Sequence, residues 1–137
     1  MAIAFNKDGS RLVTTTGENT PRIWDAKTGQ EKVALRGHSD FVSSAVFDPT
    51  GTRLVTASDD GTARIWDTAT GEQLLSLSGH PGWVVGAVFS PDGKRIATIS
   101  GNEAYIWDSA SGERLLTLAG HQNSVLAVAF SPDGTRL

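Results

Sequence analysis

The sequence predicts an all-β protein built from three copies of one four-stranded unit. The motif Ile-Trp-Asp occurs three times, and its Trp24, Trp66 and Trp107 are 42 and 41 residues apart. The dipeptide Gly-His recurs three times at the same two spacings. A period near 40 residues is typical of a supersecondary unit copied in tandem, which buries its apolar faces only by stacking on its neighbours.

Each period contains four short apolar runs. In the middle copy these runs are Val42–Phe47, Arg53–Ser58, Ala63–Trp66 and Gln73–Leu77. Runs of this length that are rich in Val, Ile, Thr and Trp favour strands over helices, and the sequence has no helical period. We therefore expect an antiparallel meander of four strands in each copy.

Turn residues separate the runs. Ser90–Gly93 and Ser131–Gly134 both read Ser-Pro-Asp-Gly, with Pro second and Gly fourth as a type I turn prefers. Asp59–Gly61 suits a tight hairpin that needs positive φ. Asp67–Gly71 begins with a side chain that can cap its own turn and ends with Gly. Turns this short predict that consecutive strands are neighbours in the sheet.

The first strand of each unit is apolar on both faces, as in Val84–Phe89 and Val125–Phe130. A strand of this kind is buried on both sides, and its small residues suit a crowded position at the centre of a radial array. A plain β-sandwich is the alternative architecture. The regular period favours radial repetition.

Together these motifs resemble the WD-repeat family of β-propellers over essentially the whole chain. Gly-His, Ser-Pro-Asp-Gly, Ser58-x-Asp60-x-Thr62 and Ile-Trp-Asp stand in the family's order. The resemblance implies one partial propeller over residues 1–137. Its blades are expected at about residues 1–36, 41–78 and 83–119, with an extra inner strand at about residues 124–130.

The two ends of the chain repeat each other. Residues 1–5 align with residues 126–130, so the chain is expected to begin inside an inner strand and to end where a second strand should begin. We interpret it as a piece of a longer propeller or as a protomer that closes by association.

The resemblance also implies a structural tetrad in the middle blade. It would join His38, a hydroxyl of Thr56 or Ser58, Asp60 and Trp66 in series, because a buried imidazole, carboxylate and indole each need a hydrogen-bond partner. A Ser-His-Asp catalytic triad is the alternative for the same residue types. The sequence has no nucleophile elbow and no recognisable oxyanion site, so we expect a structural role.

The other two blades depart from this pattern. Glu18 takes the place of Asp60 in the first blade, and the third blade has the shorter turn 100–103 without an Asp. We expect His80 to lack its carboxylate partner. Both blades should be locally less stable, by about 1–3 kcal/mol if a buried group is left unsatisfied.

Three residues are candidate contacts for a partner. Phe41, Trp83 and Ser124 each lie three positions after the His of a Gly-His dipeptide. In the resembling family this position opens the first strand on the top face, beside the central channel, where peptides dock. Aromatic side chains are enriched at binding hot spots. The alternative is that both rings pack back onto neighbouring blades.

Composition argues against several classes of function. The net charge is −3 with a pI of about 5.5, whereas a nucleic-acid interface needs a basic face. Cysteine is absent, and the Gly-His histidines lie on radiating blades, so we expect no metal and no cofactor. No apolar run approaches the ~18 residues of a membrane span, and residues 1–5 do not resemble a signal peptide. We expect a cytoplasmic protein.

These observations predict a non-catalytic scaffold for protein or peptide partners rather than an enzyme. The alternative is the repeat segment of a larger bacterial signalling protein whose NTPase or kinase domain lies outside this chain. Three blades leave two apolar end faces larger than soluble monomers tolerate, and closed propellers need about four blades or more. We therefore expect self-association into a dimer or a trimer, with residues 125–130 acting as a latch on the next copy.

Overall fold

The computed structural model describes residues 1–137, and its regular structure consists of strands without a helix. The strands are β1 Ile3–Phe5, β2 Arg11–Thr14, β3 Arg22–Asp25, β4 Glu31–Ala34, β5 Val42–Phe47, β6 Arg53–Ser58, β7 Ala63–Asp67, β8 Gln73–Leu77, β9 Gly86–Phe89, β10 Arg95–Ser100, β11 Glu103–Asp108 and β12 Arg114–Leu118. They form three antiparallel meanders, namely sheet 1 (β1–β4), sheet 2 (β5–β8) and sheet 3 (β9–β12). The predicted all-β fold of three four-stranded units is confirmed.

The third and fourth strands of every sheet shift register at the Trp. In sheet 2 the irregularity falls between Ile65 and Trp66, and the other two sheets have it at the equivalent bond. A bulge bends the strand locally and increases its twist. Its recurrence at one position shows that the three Ile-Trp-Asp motifs are structurally equivalent.

The core lies between the sheets. One apolar cluster joins sheets 1 and 2 and contains Ile23 and Trp66, and a second joins sheets 2 and 3 and contains Ile65 and Trp107. The Trp of each following sheet thus shares a core with the Ile of the sheet before it. Full burial of an apolar side chain contributes about 1.5–3 kcal/mol, so the junctions between sheets carry much of the stability.

An arginine crosses the junction between sheets 2 and 3. Arg53, the first residue of β6, donates from Nη2 to the carbonyl of Gly93 (2.8 Å) and from Nη1 to the carbonyl of Ser109 (2.9 Å). Its Cζ lies 5.2 Å from the centre of the Phe89 ring. Gly93 has a φ of +70°, a conformation that favours glycine, so the turn that supplies this carbonyl depends on that residue.

Arg11 repeats the arrangement one sheet earlier. Its Nη2 donates to the carbonyl of Gly51 (2.7 Å), its Nη1 donates to the hydroxyl of Thr68 (3.0 Å), and its Cζ lies 5.8 Å from the centre of the Phe47 ring. We term each such residue a junction arginine. Charged hydrogen bonds and a cation–π contact are both directional, so the junction arginines fix how neighbouring sheets meet.

Residues 124–130, predicted as an extra inner strand, form no strand. Within this segment, only the Val125 N–H bonds to another part of the backbone, donating to the carbonyl of Gly101 (2.8 Å). A strand needs a hydrogen-bonded neighbour, and in the three sheets the inner strand pairs with the second strand of its own unit. The turn Ser131–Gly134 follows residues 124–130, and the three residues after this turn do not pair with them. The segment therefore has no second strand as a neighbour.

Candidate functional site

Four side chains of sheet 2 and its preceding loop form one line of hydrogen bonds. His38 Nδ1 lies 2.7 Å from Asp60 Oδ2, and His38 Nε2 lies 2.7 Å from Thr56 Oγ1. The indole Nε1 of Trp66 donates to the same Thr56 oxygen at 2.8 Å. Trp66 and Thr56 are fully buried, so the network lies inside the protein.

Thr56, not Ser58, occupies the hydroxyl position that the sequence left open. Both residues lie on one face of β6, but Ser58 ends the strand beside the turn, whereas Thr56 lies nearer Trp66. Ser58 Oγ instead donates to the carbonyl of Asp40 and accepts from the N–H of Asp60, each at 3.1 Å. It holds the turn that carries Asp60.

The charges of the network follow from burial and hydrogen bonding. Burial favours the neutral acid of Asp60, but hydrogen bonds from Thr62 and His38 outweigh it and lower the pKa of Asp60 to about 2. Burial also lowers the pKa of His38, against the raising effect of Asp60. At neutral pH, His38 is therefore a neutral imidazole that donates a hydrogen bond to the Asp60 carboxylate and accepts one from the Thr56 hydroxyl.

This geometry superficially resembles a catalytic triad. The hydroxyl on the imidazole belongs to Thr56, whose side chain is fully buried and already accepts from the indole of Trp66. A nucleophile must reach its substrate, and this oxygen is enclosed by the core. The arrangement links β6, β7 and the loop before sheet 2 through a hydroxyl that is closed to solvent.

Sheets 1 and 3 contain shorter versions of the network. Trp24 Nε1 donates to Thr14 Oγ1 at 2.9 Å in sheet 1, where Glu18 is exposed and lies 3.9 Å from Arg22. In sheet 3 Trp107 Nε1 donates to Thr98 Oγ1 at 2.8 Å.

His80 lacks a carboxylate partner, as expected from the sequence, but both of its ring nitrogens have other partners. Its Nε2 lies 2.8 Å from Thr98 Oγ1, and its Nδ1 lies 3.2 Å from the carbonyl of Gly61 in the turn of sheet 2. A backbone carbonyl of the preceding sheet replaces the missing carboxylate. No buried side-chain nitrogen or oxygen in the chain is left without a partner, so the predicted penalty for an unsatisfied group does not apply.

Trp83 and Ser124 lie together at an open groove between the loop before β9 and the segment that follows sheet 3. The groove has a volume of about 540 Å³, and Val85, Asn102 and Leu126 line it with them. Trp83 is 67% exposed and Leu126 86% exposed. We term this concave surface, lined by these five residues, the Trp83 groove.

Phe41 lies elsewhere. It is half-buried and does not line the Trp83 groove. Its N–H bonds to Asp40 Oδ1 at 2.7 Å and its carbonyl accepts from the N–H of Asp59 at 2.9 Å. These bonds tie it to the loops of sheet 2, so the candidate contacts Phe41 and Trp83 do not line one groove.

Two carboxylates lie on the sheet 2 loops next to the Trp83 groove. The N–H of Val84 donates to the carbonyl of Ser58 at 3.0 Å, which places the following Asp59 beside the loop of Trp83. Burial is the main cause that raises the pKa of Asp59, and the neighbouring charges of Asp40 and Asp60 raise it further. Asp40 and Asp59 therefore place two neighbouring carboxylates on loops of sheet 2 that adjoin the loop of Trp83.

The structure shows neither a metal-ligand cluster nor a membrane-spanning helix. No three His, Cys, Asp or Glu side chains gather as ligands of a metal ion would. No helix has the length and apolarity that crossing a membrane requires.

Comparison with known proteins places these features in a family. The family model described as "WD domain, G-beta repeat" matches residues 1–25, 29–67, 71–108 and 112–137. These four matches follow the repeat period seen in the sequence and together cover nearly the whole chain.

Individual relatives match over shorter stretches. Over 46 residues the chain is 39% identical to "Dynein assembly factor with WD repeat domains 1" of Danio rerio, covering 34% of this chain and 11% of that protein. The Xenopus laevis protein of the same name is 37% identical over 46 residues, with the same coverage. "Ribosome assembly protein 4" of Chaetomium thermophilum is 52% identical over 33 residues, covering 24% of this chain and 6% of that protein.

The chain thus matches only about a tenth or less of the length of these relatives. The family assignment rests on the repeats themselves, which recur in the sequence, in the three sheets and in the four matched ranges. The chain belongs to the WD-repeat family.

Proposed function

We propose that this chain is a non-catalytic scaffold that binds a segment of another protein in the Trp83 groove. The observation that carries the proposal is Trp83, a residue that is 67% exposed and lines the groove with Leu126 instead of packing onto a neighbouring blade. Large apolar side chains gathered in an exposed concave surface mark interaction sites, and Trp is among the residues enriched at binding hot spots.

The Trp83 groove combines apolar area with hydrogen-bonding groups. Trp83, Val85 and Leu126 supply the apolar area, and Asn102 and Ser124 supply the polar groups. Asn102 Nδ2 donates to the carbonyl of His121 at 2.9 Å, which fixes the amide and leaves its Oδ1 to accept from a ligand. A peptide would place an apolar side chain on the indole and a backbone N–H on the amide oxygen.

The charge beside the groove favours a basic residue in the partner. Asp40 and Asp59 lie on the adjoining loops of sheet 2, and complementary charge raises both association rate and specificity. We therefore expect a segment in which an apolar or aromatic residue lies close to Lys or Arg.

The relatives support a scaffold role. Two are named as assembly factors and one as an assembly protein. The enclosed hydroxyl of Thr56 supports the absence of catalysis.

A peptide library displayed on phage and selected on the immobilised chain tests the proposal. Selected peptides should contain an apolar residue near a basic one, and Trp83→Ala should weaken them by roughly thirtyfold. Leu116→Ala is the matched control, because Leu116 is 56% exposed but lies on β12 outside the groove. Selected peptides that bind Trp83→Ala as tightly as the unchanged chain would contradict the proposal.

We also propose that copies of the chain associate head to tail, as a dimer with six sheets or a trimer with nine. At one end Ile3 and Phe5 of sheet 1 are 66% and 59% exposed. At the other end Leu118 and Leu137 are 39% and 45% exposed. Because the two ends differ, the contact between copies is heterologous and closes into a ring when the rotation allows it.

A further inference from the structure

The loop that carries Trp83 is held mainly by His80. This loop, residues 79–83 and termed here the Trp83 loop, contains no strand. The His80 imidazole makes two hydrogen bonds, one with a carbonyl of sheet 2 and one with a hydroxyl of sheet 3. The one other hydrogen bond of the loop runs from the Ser100 hydroxyl to the carbonyl of Gly82, at 3.2 Å. The position of Trp83 therefore depends on the state of the imidazole.

The hydrogen-bond roles around His80 follow from its fixed neighbours. The indole Nε1 of Trp107 can only donate, and it donates to Thr98 Oγ1 at 2.8 Å. His80 Nε2 lies 2.8 Å from the same oxygen, and Nδ1 lies 3.2 Å from the carbonyl of Gly61, which can only accept. Nδ1 therefore carries the proton, and Nε2 accepts a hydrogen bond from the Thr98 hydroxyl. Only the neutral imidazole satisfies every group of this set.

A protonated His80 cannot keep this pattern. Both ring nitrogens would then donate, so Thr98 Oγ1 would have to accept from Nε2 as well as from the Trp107 indole, and its own hydrogen would lose its acceptor. Thr98 is fully buried, and its Oγ1 makes no other hydrogen bond. A buried hydroxyl without an acceptor is costly, so protonation favours a loop position in which the imidazole reaches water.

The equivalent histidine of the preceding loop can accommodate a charge. His38 Nδ1 faces the carboxylate of Asp60 at 2.7 Å, which pairs with an imidazolium. Thr56 Oγ1 also lies 3.4 Å from the carbonyl of Arg64, which offers its hydroxyl a second acceptor. Sheet 3 has no Asp at the equivalent place. Protonation therefore acts against the hold of His80 in a way that it does not in sheet 2.

The charged groups around His80 do not offset this effect. The charged and titratable groups on the elements packed against it are Arg114 of β12, Tyr105 and Glu103 of β11, and Asp59 and Asp60 in the sheet 2 turn. None of them forms a hydrogen bond with the imidazole, since the Tyr105 hydroxyl donates to Glu103 and Asp60 bonds to His38. Burial is the main cause that lowers the pKa of His80, and Arg114 lowers it further as a like charge. The neutral form is thus present at neutral pH.

We propose that His80 is a positioning residue whose neutral imidazole holds the Trp83 loop and whose protonation releases it, so that the Trp83 groove binds its partner less tightly in mild acid. This inference rests on the function proposed above for the Trp83 groove and adds its regulation. The released imidazole has the ordinary histidine pKa of about 6.5. Each pH unit below this value therefore favours release by at most about tenfold.

Fluorine NMR of the unchanged chain tests the release without a ligand. Incorporation of 5-fluorotryptophan gives one signal for each of the four Trp residues, and Trp83→Phe identifies the signal of Trp83. Between about pH 7.5 and about pH 5.5 this signal should shift and narrow as the loop becomes mobile, with the same midpoint as the ring signals of His80. The signal of Trp24 is the internal control, because sheet 1 contains no histidine.

Variants separate the proton from the structural hold. His80→Gln cannot be protonated, so its Trp83 signal should not change with pH. His38→Gln is the matched control, because it alters the equivalent dipeptide of the preceding loop and should keep the pH response of Trp83. If His80→Gln does not fold, a pair of variants at Thr98 replaces it. Thr98→Ser retains the hydroxyl and should keep the response, whereas Thr98→Val removes the hydroxyl and should lose most of it.

Binding is measured by the fluorescence anisotropy of a fluorescein-labelled peptide from the phage selection described above, chosen without His. Its affinity for the unchanged chain should fall by up to about tenfold between about pH 7.5 and about pH 5.5. Its affinity for His80→Gln should stay constant over the same range. This comparison also controls for other groups that titrate beside the groove, such as Asp59.

The outcomes separate this inference from the proposed function. A Trp83 signal and a peptide affinity that both change with the protonation of His80 support the inference. It would be overturned if His80 were protonated without a change in the Trp83 signal, or if His80→Gln showed the pH dependence of the unchanged chain. A response in the NMR signal, without any selected peptide that depends on Trp83, would contradict the proposed function and with it the regulation of binding.

Discussion

The guanidinium of Arg53 lies over the ring of Phe89, with its Cζ 5.2 Å from the ring centre, across the junction of sheets 2 and 3. The same guanidinium donates to two backbone carbonyls of sheet 3, those of Gly93 and Ser109. One side chain therefore combines a cation–π contact with charged hydrogen bonds, and it does so between sheets that pair no strands with each other.

Arg53→Ala should destabilise the chain by about 2 kcal/mol or more, because hydrogen bonds to charged groups contribute roughly 1.5–3 kcal/mol. Arg53→Lys should recover only part of this, since Lys lacks the planar fork that reaches two carbonyls. Urea unfolding followed by Trp fluorescence measures the change. Arg22→Ala is the control, because Arg22 pairs with Glu31 at the surface and such pairs contribute about 0–1 kcal/mol. Equal losses for Arg53→Ala and Arg22→Ala would refute a special role for the junction arginine.

Trp66→Ala should cost about 3–5 kcal/mol, because it removes a fully buried ring from the core shared by sheets 1 and 2. Asp60→Ala should cost less, about 1–3 kcal/mol, by removing the partner of the buried His38. Differential scanning calorimetry ranks the two variants. Unchanged melting temperatures for both would show that the hydrogen-bonded network does not stabilise the fold.

Stability should fall as the pH drops below about 6.5, the ordinary histidine value. Burial lowers the pKa of His38 and of His80. The unfolded chain therefore takes up protons first as the pH falls, and stability present above this value is progressively lost below it. Asp60, with its pKa lowered to about 2, adds a second loss that begins only near its ordinary value of 3.8.

Melting temperatures at about pH 7.5 and about pH 5.5 check the histidine step, which lies between these values. The double variant His38→Gln/His80→Gln should show a smaller difference between the two conditions, although it is less stable at both. If the double variant shows the same pH dependence of the melting temperature as the unchanged chain, that dependence does not come from His38 and His80.

The 14.5 kDa chain should elute as a dimer or trimer in size exclusion with light scattering, because both end faces expose large apolar side chains. Phe5→Ser together with Leu118→Ser should shift the population toward monomer by making both faces polar. A folded monomer of the unchanged chain at all concentrations would be the contrary result.

Periodicity allowed most of the strands to be predicted from sequence. In the middle unit the predicted runs coincide with β5, β6 and β8, and β7 extends one residue further to Asp67. These strands were predictable because their apolar runs and turn residues recur three times, so a weak local signal is repeated in register. The network around His38 was predicted from the resemblance to the WD-repeat family, because only the middle unit contains all of its residues.

The remaining features depend on distances that a linear pattern does not contain. Thr56 and Ser58 share a face of β6, and only the position of Trp66 distinguishes them. The carbonyl that satisfies His80 belongs to another sheet. The segment 124–130 has the composition of an inner strand, but pairing requires a neighbour as well as a composition.

The junction arginines left a signal in the sequence that was not recognised. An Arg stands two residues after a turn Gly, and a Phe four residues before that Gly, in every unit. The pattern is visible, but the contact runs from the Arg of one unit to the Phe and Gly of the next, and nothing within a single unit reveals that direction.

This direction bears on how such arrays grow. Arg11, Arg53 and Arg95 each bind the Phe and the turn Gly of the unit that follows. A tandem duplication of any stretch one period long, wherever its endpoints fall, creates a unit that already matches both of its new neighbours. Repeat number can therefore change in a single genetic event without a new interface having to evolve, since each repeat contacts only its neighbours.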